Sequence, residues 1–282
     1  MKQLKLDYQP NNIEEILTQI KSSKIIKELI DTLNITDEEI VRNYDLLNAY
    51  EASNKKCVNC KSMKFCNQST YGMKYCIKRD YDNMLTDYIS ICDLYKDYYK
   101  RKKNLIYSTF KEEDLLDESQ KSFILDNANF LGKDFIIKVI ALQKNQSVTG
   151  AFLQLNDSKL RLKLIKSLSY SLLLNHKVSI IKFSDFLKTV KSEFKITDGT
   201  STLQEVINSD VLIIDGVGNE SITSWSRDEI LLSILDNRIQ MDKTTFICSE
   251  YSLDQLKKLY KLSYNDEAKA SQVVDKINEL RK

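Results

Sequence analysis

Short apolar segments alternate with helical patterns in the second half of the chain, and this alternation restricts the fold more than any other feature of the sequence. The segments that we predict to be strands are 151–155, 178–183, 211–214 and 244–248. The helices predicted between and after them are 158–175, 184–194, 225–239, 253–260 and 267–280. Parallel strands need a long crossover connection, and helices normally supply it. The pattern therefore predicts an α/β domain with a parallel sheet.

The N-terminal third lacks this alternation, and a length of 282 residues is enough for two domains. A helix is predicted over 12–33. A second helix is predicted to begin at Thr36, because Thr36 and Glu39 have the spacing of a capping box. The stretch 108–122 is polar and rich in acidic residues. We therefore predict a small helical domain at 1–105, a linker at 106–122 and the α/β domain at 123–282.

Five of the six cysteines are clustered between residues 57 and 92. Cys57 and Cys60 have the C-x2-C spacing with which one tight turn presents two thiolates to a zinc ion. Clustered cysteines in a cytosolic chain are more often metal ligands than disulfides. We expect a structural Zn2+ whose ligands are Cys57, Cys60, Cys92 and, as the fourth, Cys76, with Cys66 as the alternative. Four thiolates would leave no open position for water or a substrate.

Charge and hydropathy do not indicate a nucleic-acid or membrane partner. Lys and Arg (42) nearly balance Asp and Glu (40), so contact with nucleic acid would need a local patch. The segment 95–103 combines tyrosines with lysines and could bind single-stranded DNA, although a solvated helix face is the commoner role of such a charge run. No stretch approaches the roughly 18–20 apolar residues that span a bilayer, and residues 1–10 do not resemble a signal peptide. We expect a cytoplasmic protein.

A second motif lies where the strand predicted at 211–214 ends. The strand is followed by Asp215, at the carboxyl end, where ligands of open α/β sheets bind. The segment 210–230 closely resembles the Walker B region of bacterial helicase loaders of the DnaI/DnaC type, which has Asp-Asp-x-Gly-x-Glu followed by Ser-Trp-x-Arg-Asp-Glu. The matching residues are Asp215, Gly218, Glu220, Ser224, Trp225, Arg227, Asp228 and Glu229. A cysteine module in front of the α/β domain is also similar to the DnaI branch.

This resemblance implies an AAA+-like fold of the P-loop NTPase type for the C-terminal domain. It implies that the N-terminal module binds a hexameric replicative DNA helicase of the DnaB type. It also implies that the AAA+-like domain self-assembles and contacts single-stranded DNA. Trp225 and Arg227 are the candidates for a contact with a partner or with DNA. For Trp225 we favour packing in the core or between domains over such a contact. For Arg227 a salt bridge to a nearby carboxylate is an equal alternative to contact with a neighbouring subunit or DNA.

The nucleotide site that the resemblance implies lacks its phosphate loop. A P-loop needs glycines whose amides surround the phosphates, a lysine for the β- and γ-phosphates and a hydroxyl for magnesium. The corresponding segment 155–162 contains no glycine. Counted from Gly150, which matches a glycine of the family, Arg161 takes the lysine position and Leu162 the hydroxyl position. Lys159 could shift in as a substitute, but side chains with a Cβ exclude backbone conformations that glycine permits.

Three further positions of the family's site are also changed. Gly216 replaces the second Walker B acid, Glu250 replaces the sensor asparagine and Gln272 replaces an arginine near the C-terminus. One retained aspartate cannot supply the positioning and charge stabilisation that phosphoryl transfer needs. We therefore expect no catalytic residue and no efficient hydrolysis of ATP with Mg2+. The remnants of the nucleotide site are Lys159, Arg161 and Asp215.

The sequence thus predicts a helicase loader that binds the replicative helicase. Such a loader helps to place the helicase on single-stranded DNA during initiation or restart of replication, here without hydrolysing ATP itself. Two alternatives are open at this point. One is an active ATPase loader with a rebuilt P-loop, and the other is a zinc-dependent regulator that binds nucleic acid.

Overall fold

The computed structural model describes residues 13–117, 119, 122–196 and 201–281. The chain forms two compact units, Met1–Asp97 and Tyr98–Lys282. The sequence analysis placed the end of the first domain at 105, so the structure divides the chain earlier. Within the described ranges, no helix combines the length and the apolar composition that crossing a bilayer requires.

The first unit is built from short helices and a β-hairpin. Its elements are α1 (Ile13–Ser22), α2 (Lys24–Leu33), α3 (Asp37–Arg42), α4 (Tyr44–Lys55), a 3-10 turn (Met63–Phe65), β1 (Met73–Arg79) and β2 (Leu85–Ile91). The helix predicted over 12–33 is interrupted at Ser23, whose backbone is extended; residue 12 lies outside the described residues. The predicted capping box is confirmed at the start of α3, where Thr36 and Glu39 each accept a hydrogen bond from the other's backbone amide.

The hairpin closes a small core formed by the helices. Ile26, Ile40 and Leu47 are fully buried in that core, and Ile77 of β1 joins them. The strands are antiparallel, with Met73 opposite Ile91 at one end of the ladder. The sequence analysis did not predict this hairpin, because the apolar alternation in its strands is short, as in Met73, Tyr75 and Ile77 of β1. The hairpin carries Cys76 on β1 and ends directly before Cys92.

The second unit contains a five-stranded parallel sheet. Its strands are β3 (Leu105–Ser108), β4 (Gly150–Gln154), β5 (Val178–Lys182), β6 (Val211–Asp215) and β7 (Thr244–Ser249), in the spatial order β3-β5-β6-β7-β4. The four strands predicted from the sequence are therefore confirmed within a residue at either end. Because β7 lies between β6 and β4, the carboxyl ends of these three strands meet at one edge of the sheet.

Helices cover both faces of this sheet. They are α5 (Asp93–Asn104), α6 (Glu112–Leu115), α7 (Phe123–Asp126), α8 (Ala128–Leu131), α9 (Lys133–Gln143), α10 (Ser158–Leu172), α11 (Phe183–Ile196), α12 (Ser201–Asn208), α13 (Leu232–Gln240), α14 (Leu253–Tyr260) and α15 (Glu267–Glu279). Alternate residues of β6 serve the two faces, since side chains of a strand point to opposite sides in turn. Leu212 and Ile214 pack with α11 to α15, whereas Val211 and Ile213 pack with α6 to α10.

The segment predicted as a linker, 106–122, is part of the second unit. Its first residues lie in β3, which pairs with β5. The Thr109 amide donates to the Ile180 carbonyl at 3.1 Å, and Leu115 is fully buried. Its polar, acidic composition suggested a linker, but a few apolar side chains at the right positions are enough to anchor it on the sheet.

Candidate functional site

Two charged side chains form an ion pair at the carboxyl edge of the sheet. Asp215 ends β6, and Arg161 lies in the first turn of α10, which follows β4. The Arg161 Nε donates to Asp215 Oδ1 at 2.6 Å, and Nη1 donates to the Leu155 carbonyl at 2.8 Å. Only 8% of the Arg161 side chain and 12% of the Asp215 side chain are exposed. The two charges are therefore stabilised mainly by each other, because little of either side chain is exposed to water.

The electrostatics of Asp215 reflect this burial. Loss of solvent raises the pKa of the Asp215 carboxyl, and the facing Arg161 guanidinium opposes the rise. The nearby Glu250 carboxylate also acts to raise that pKa. Two acidic groups near one another favour a cation between or beside them, and here Arg161 is that cation.

The start of α10 is occupied by another side chain of the same loop. Asp157 Oδ1 accepts hydrogen bonds from the amides of Lys159 at 2.8 Å and Leu160 at 3.1 Å. These bonds lower the pKa of Asp157 because they stabilise its ionised form. In a P-loop protein the amides at this helix start bind phosphate oxygens. The Lys159 side chain, predicted as a substitute phosphate ligand, is exposed.

The loop after β6 has no acidic side chain at the second Walker B position. Gly216 occupies it with a φ of +74°, and its amide donates to the Cys248 carbonyl at 2.8 Å. Glu250, at the sensor position, is half-buried, and its carbonyl accepts a long bond from Gln154 Nε2 at 3.4 Å. Gln272 is half-buried on α15. None of the three positions carries the side chain that the family has there.

Glu220 has a structural role that the sequence analysis did not assign. Its carboxylate is buried and accepts bonds from the Gly218 amide at 2.8 Å and the Tyr260 hydroxyl at 2.5 Å. Burial raises the pKa of Glu220, and burial beside this carboxylate raises the pKa of Tyr260 well above its usual value. Gly218 must be glycine here, because a Cβ would come within 2.8 Å of Leu256 and Tyr251. Together these contacts attach the Walker B loop to α14.

The two residues predicted at a partner contact lie in a π-helical segment, Trp225–Leu231, that leads into α13. Arg227 is 2% exposed and is bound internally to Asp228 at 2.7 Å, Asp266 at 3.2 Å and the Tyr260 carbonyl at 2.8 Å. A direct contact with a partner does not fit this burial, whereas the alternative of an internal salt bridge does. Trp225 packs on the core and edge-on against Phe194, with ring centroids 6.3 Å apart.

The loop 66–72 contains Cys66 and contacts two more of the clustered cysteines, Cys57 and Cys92. Gln68 Nε2 donates to Cys57 Sγ at 2.9 Å, and the Cys60 amide donates to the Cys57 carbonyl at 3.1 Å in the predicted tight turn. The Gly72 amide donates to Cys66 Sγ at 3.4 Å, and the Gly72 carbonyl accepts from the Cys92 amide at 2.9 Å. In the part of the chain that the structure describes, these thiols do not come together as a metal-binding group.

Cys76 lies elsewhere on the hairpin. It sits on β1 opposite Tyr88. Cys92 follows Tyr88 by four positions, which is about 13 Å along an extended strand at roughly 3.3 Å per residue. Since a Zn–S bond is only about 2.3 Å long, this separation is more than two cysteine side chains can span to one ion. The predicted combination of Cys76 with Cys92 does not fit the hairpin, whereas Gly72 is hydrogen-bonded to both Cys66 and Cys92.

The basic and aromatic segment 95–103 is partly structural. Arg101 is 7% exposed, stacks on the Tyr170 ring at 4.1 Å and donates from Nε to the Tyr170 carbonyl at 3.0 Å. Tyr98 packs against the core of the second unit, and Lys102 forms an ion pair with Glu112 at 2.9 Å. Several side chains of α5 therefore attach this helix to the second unit. These contacts do not exclude contact between its other side chains and nucleic acid.

Comparison with known proteins agrees with the Walker B resemblance. The chain is 22% identical over 284 aligned positions to the replicative helicase loader DnaI of Bacillus subtilis (strain 168), covering 94% of this chain and 90% of DnaI. This chain is related to the DnaI-type helicase loaders. The predicted resemblance is thus confirmed over nearly the whole length of both chains, beyond the short region that suggested it. No protein-family model matches the sequence.

One solved structure supports the fold. A crystal structure assigned to a primosome component of Streptococcus pyogenes serotype M3 superimposes with a TM-score of 0.50 at 19% identity, covering 64% of this chain and 91% of that one. A crystal structure of DnaI gives a TM-score of 0.46 at 20% identity over 64% of this chain and 93% of that one. The C-terminal unit therefore has the AAA+-like α/β fold that the sequence predicted.

The groups with which an AAA+-like fold binds ATP and Mg2+ have partners within this chain. A magnesium nucleotide needs a free acidic side chain at the end of the Walker B strand and free amides at the start of the next helix. Here Arg161 engages the carboxylate of Asp215 and Asp157 engages the amides of α10. The geometry agrees with the loss of glycines that the sequence shows.

Proposed function

We propose that this chain is a helicase loader that binds the replicative DNA helicase and helps to place it on single-stranded DNA, without hydrolysing ATP itself. The similarity to DnaI over almost the entire length of both chains carries this proposal. The loader would work in the cytoplasm on a hexameric helicase of the DnaB type, with the energy for loading coming from binding or from nucleotide on the helicase.

The first unit is the part that would contact the helicase. Its hairpin exposes several large apolar side chains in a chain of nearly neutral net charge, and exposed apolar side chains favour contact with protein over contact with nucleic acid. The most exposed of them on β2 are Tyr88, Ile89 and Ile91. The second unit would assemble with other copies and meet single-stranded DNA, in keeping with its AAA+-like fold.

Co-elution of the full chain with the cognate replicative helicase on a sizing column tests the proposal. We expect a stable complex without nucleotide and an equally stable complex with ATP and Mg2+. A mixture that separates under both conditions would contradict it. In that case salt-sensitive binding of the chain to DNA alone would favour a nucleic-acid-binding regulator.

We also propose that the first unit holds one structural Zn2+ through Cys57, Cys60, Cys66 and Cys92. The C-x2-C turn supplies one thiolate pair, and the common attachment of Cys66 and Cys92 to Gly72 supports the other. An ion with four thiolates would link α4, the loop 66–72 and the end of β2, and it would offer no site for chemistry.

Removal of the metal and two matched serine variants test this ligand set. We expect about one zinc ion per chain by elemental analysis, lost in Cys66→Ser and retained in Cys76→Ser, a variant that makes the same replacement on β1. Because metal binding is coupled to folding, a chelator should unfold the first unit. Retention of zinc in Cys66→Ser together with its loss in Cys76→Ser would reverse the assignment.

A further inference from the structure

The carboxyl edge of the sheet holds a positive charge where a P-loop protein holds a divalent cation. The Arg161 Nε lies 2.6 Å from Asp215 Oδ1, close enough to replace a direct contact between the carboxylate and an ion. The pair is almost closed to solvent, which distinguishes it from the exposed ion pairs of this chain, such as Lys188 with Asp185, where 77% of the lysine side chain is exposed.

The chemistry around Asp215 requires a cation there. Asp215 is buried, and Glu250 adds a second negative charge close enough to affect it. A buried carboxylate without a positive partner is strongly unfavourable. In an active P-loop protein that partner is Mg2+ with its nucleotide, and in this chain it is a side chain from the very position where the phosphate-binding lysine would lie.

Arg161 also holds the loop that the nucleotide would otherwise order. Its Nη1 donates to the carbonyl of Leu155 at 2.8 Å, and Leu155 is joined to β7 by a hydrogen bond from its amide to the Ser249 carbonyl at 2.7 Å. Asp157 then fixes the first turn of α10. The loop between β4 and α10 is therefore bound at both ends to groups of the same chain.

We propose that the Arg161 guanidinium is a built-in replacement for the divalent cation of the ancestral site, so that the edge of the sheet keeps one closed conformation without nucleotide. This inference extends the proposed function, since it names what holds the loader's site in shape when ATP does not. Helicase binding is a separate measurement, and failure of either proposal leaves the other intact.

The test is the response of thermal unfolding to Mn2+ and Mg2+, measured on the full chain. The wild-type chain should show no change in Tm with either ion. Arg161→Ala should have a lower Tm and recover about 5–10 °C at ion concentrations of roughly a hundred times the dissociation constant, because Asp215 and Glu250 are then free to bind the ion. Broadening of the Mn2+ electron paramagnetic resonance signal by this variant alone would report the same binding directly.

Two further variants keep the test decisive. Lys163→Ala removes an exposed cation from the same helix and should behave as the wild type. Arg161→Ala combined with Asp215→Ala removes both charges, should be more stable than Arg161→Ala alone, and should lose the response to ions. If the wild-type chain responds to Mn2+ as strongly as Arg161→Ala, the proposal is overturned. A folded Arg161→Ala chain that binds no Mn2+ would overturn it equally.

Discussion

The parallel sheet has a buried arginine at each end, and the two arginines have different hydrogen-bond partners. At the carboxyl end, Arg161 faces the carboxylate of Asp215. At the amino end, Arg238 of α13 is fully buried, and in the described part of the chain its hydrogen bonds go only to carbonyl and hydroxyl oxygens. Its partners include the carbonyls of Thr244 at 2.6 Å, Ile207 at 2.8 Å and Ser209 at 2.9 Å, and the Thr245 hydroxyl at 2.8 Å.

The difference follows from what each end of such a sheet normally holds. Ligands of open α/β sheets bind at the carboxyl ends of the strands, and the charge of Arg161 meets the acid that remains there. Arg238, at the amino end, instead donates to the carbonyls at the end of α12, where a helix favours positive charge. One arginine pairs with the acid at the end of a strand, and the other attaches a helix to the sheet.

Replacement of Arg238 by methionine should have the largest effect on stability. Methionine keeps much of the volume but leaves several buried carbonyls without donors, each at a cost of about 1–3 kcal/mol. We expect the free energy of unfolding to fall by roughly 4 kcal/mol or more, with no response to Mn2+. Urea unfolding followed by fluorescence measures it, since the single tryptophan of the chain, Trp225, lies in the second unit.

The matched control is Lys188→Met, which makes the same kind of change on an exposed helix surface. It should shift the midpoint of unfolding very little. A similar loss of stability in both variants would mean that the buried hydrogen bonds of Arg238 add nothing to the free energy of unfolding.

Replacement of Tyr260 by phenylalanine should have an intermediate effect, at the carboxyl end of the sheet. It removes one donor from the buried Glu220 carboxylate, and a hydrogen bond to a charged group is worth about 1.5–3 kcal/mol. The cost should shrink as the pH falls. The pKa of Glu220 is already raised by burial, so the folded protein takes up its proton before the unfolded chain does, and a neutral carboxyl needs the donor less.

Urea unfolding of Tyr260→Phe at pH 7 and at about pH 5, compared with the wild type at each pH, measures this dependence. An equal cost at both pH values would mean that Glu220 does not titrate in this range. A larger cost at the lower pH would contradict the sign of the argument.

Of the proposed substitutions, lysine at position 161 should have the smallest effect on stability. Comparing it with lysine at position 238 tests most directly how the two arginines differ. Lysine can keep a single ion pair with Asp215, so Arg161→Lys should cost about 1 kcal/mol or less. At 238 it cannot satisfy carbonyls that approach a planar guanidinium from several directions. We expect Arg238→Lys to cost at least twice as much in the same urea experiment. An equal loss of unfolding free energy in the two lysine variants would show that the two arginines do not differ in how their surroundings stabilise them.

The alternation of strands and helices was enough to predict the sheet, because apolar strands of this length leave few other ways to bury their side chains. The capping box at Thr36 depends only on residues close in the chain, and its prediction was also correct. The hairpin of the first unit was missed because its core side contributes little more than Ile77 and its neighbours. The linker was misjudged because composition does not show which few residues, such as Leu115, will be buried.

By itself the sequence determined the fold class, the relationship to helicase loaders and the loss of a glycine loop, since each depends on residue types at fixed spacing. Only the tertiary structure decided which side chain pairs with Asp215. Arg161 and Asp215 are 54 residues apart in the chain, and Arg227 is buried by residues as distant as Asp266. Which charge meets which is determined by where the strands of the sheet end, and that depends on the packing of the whole unit.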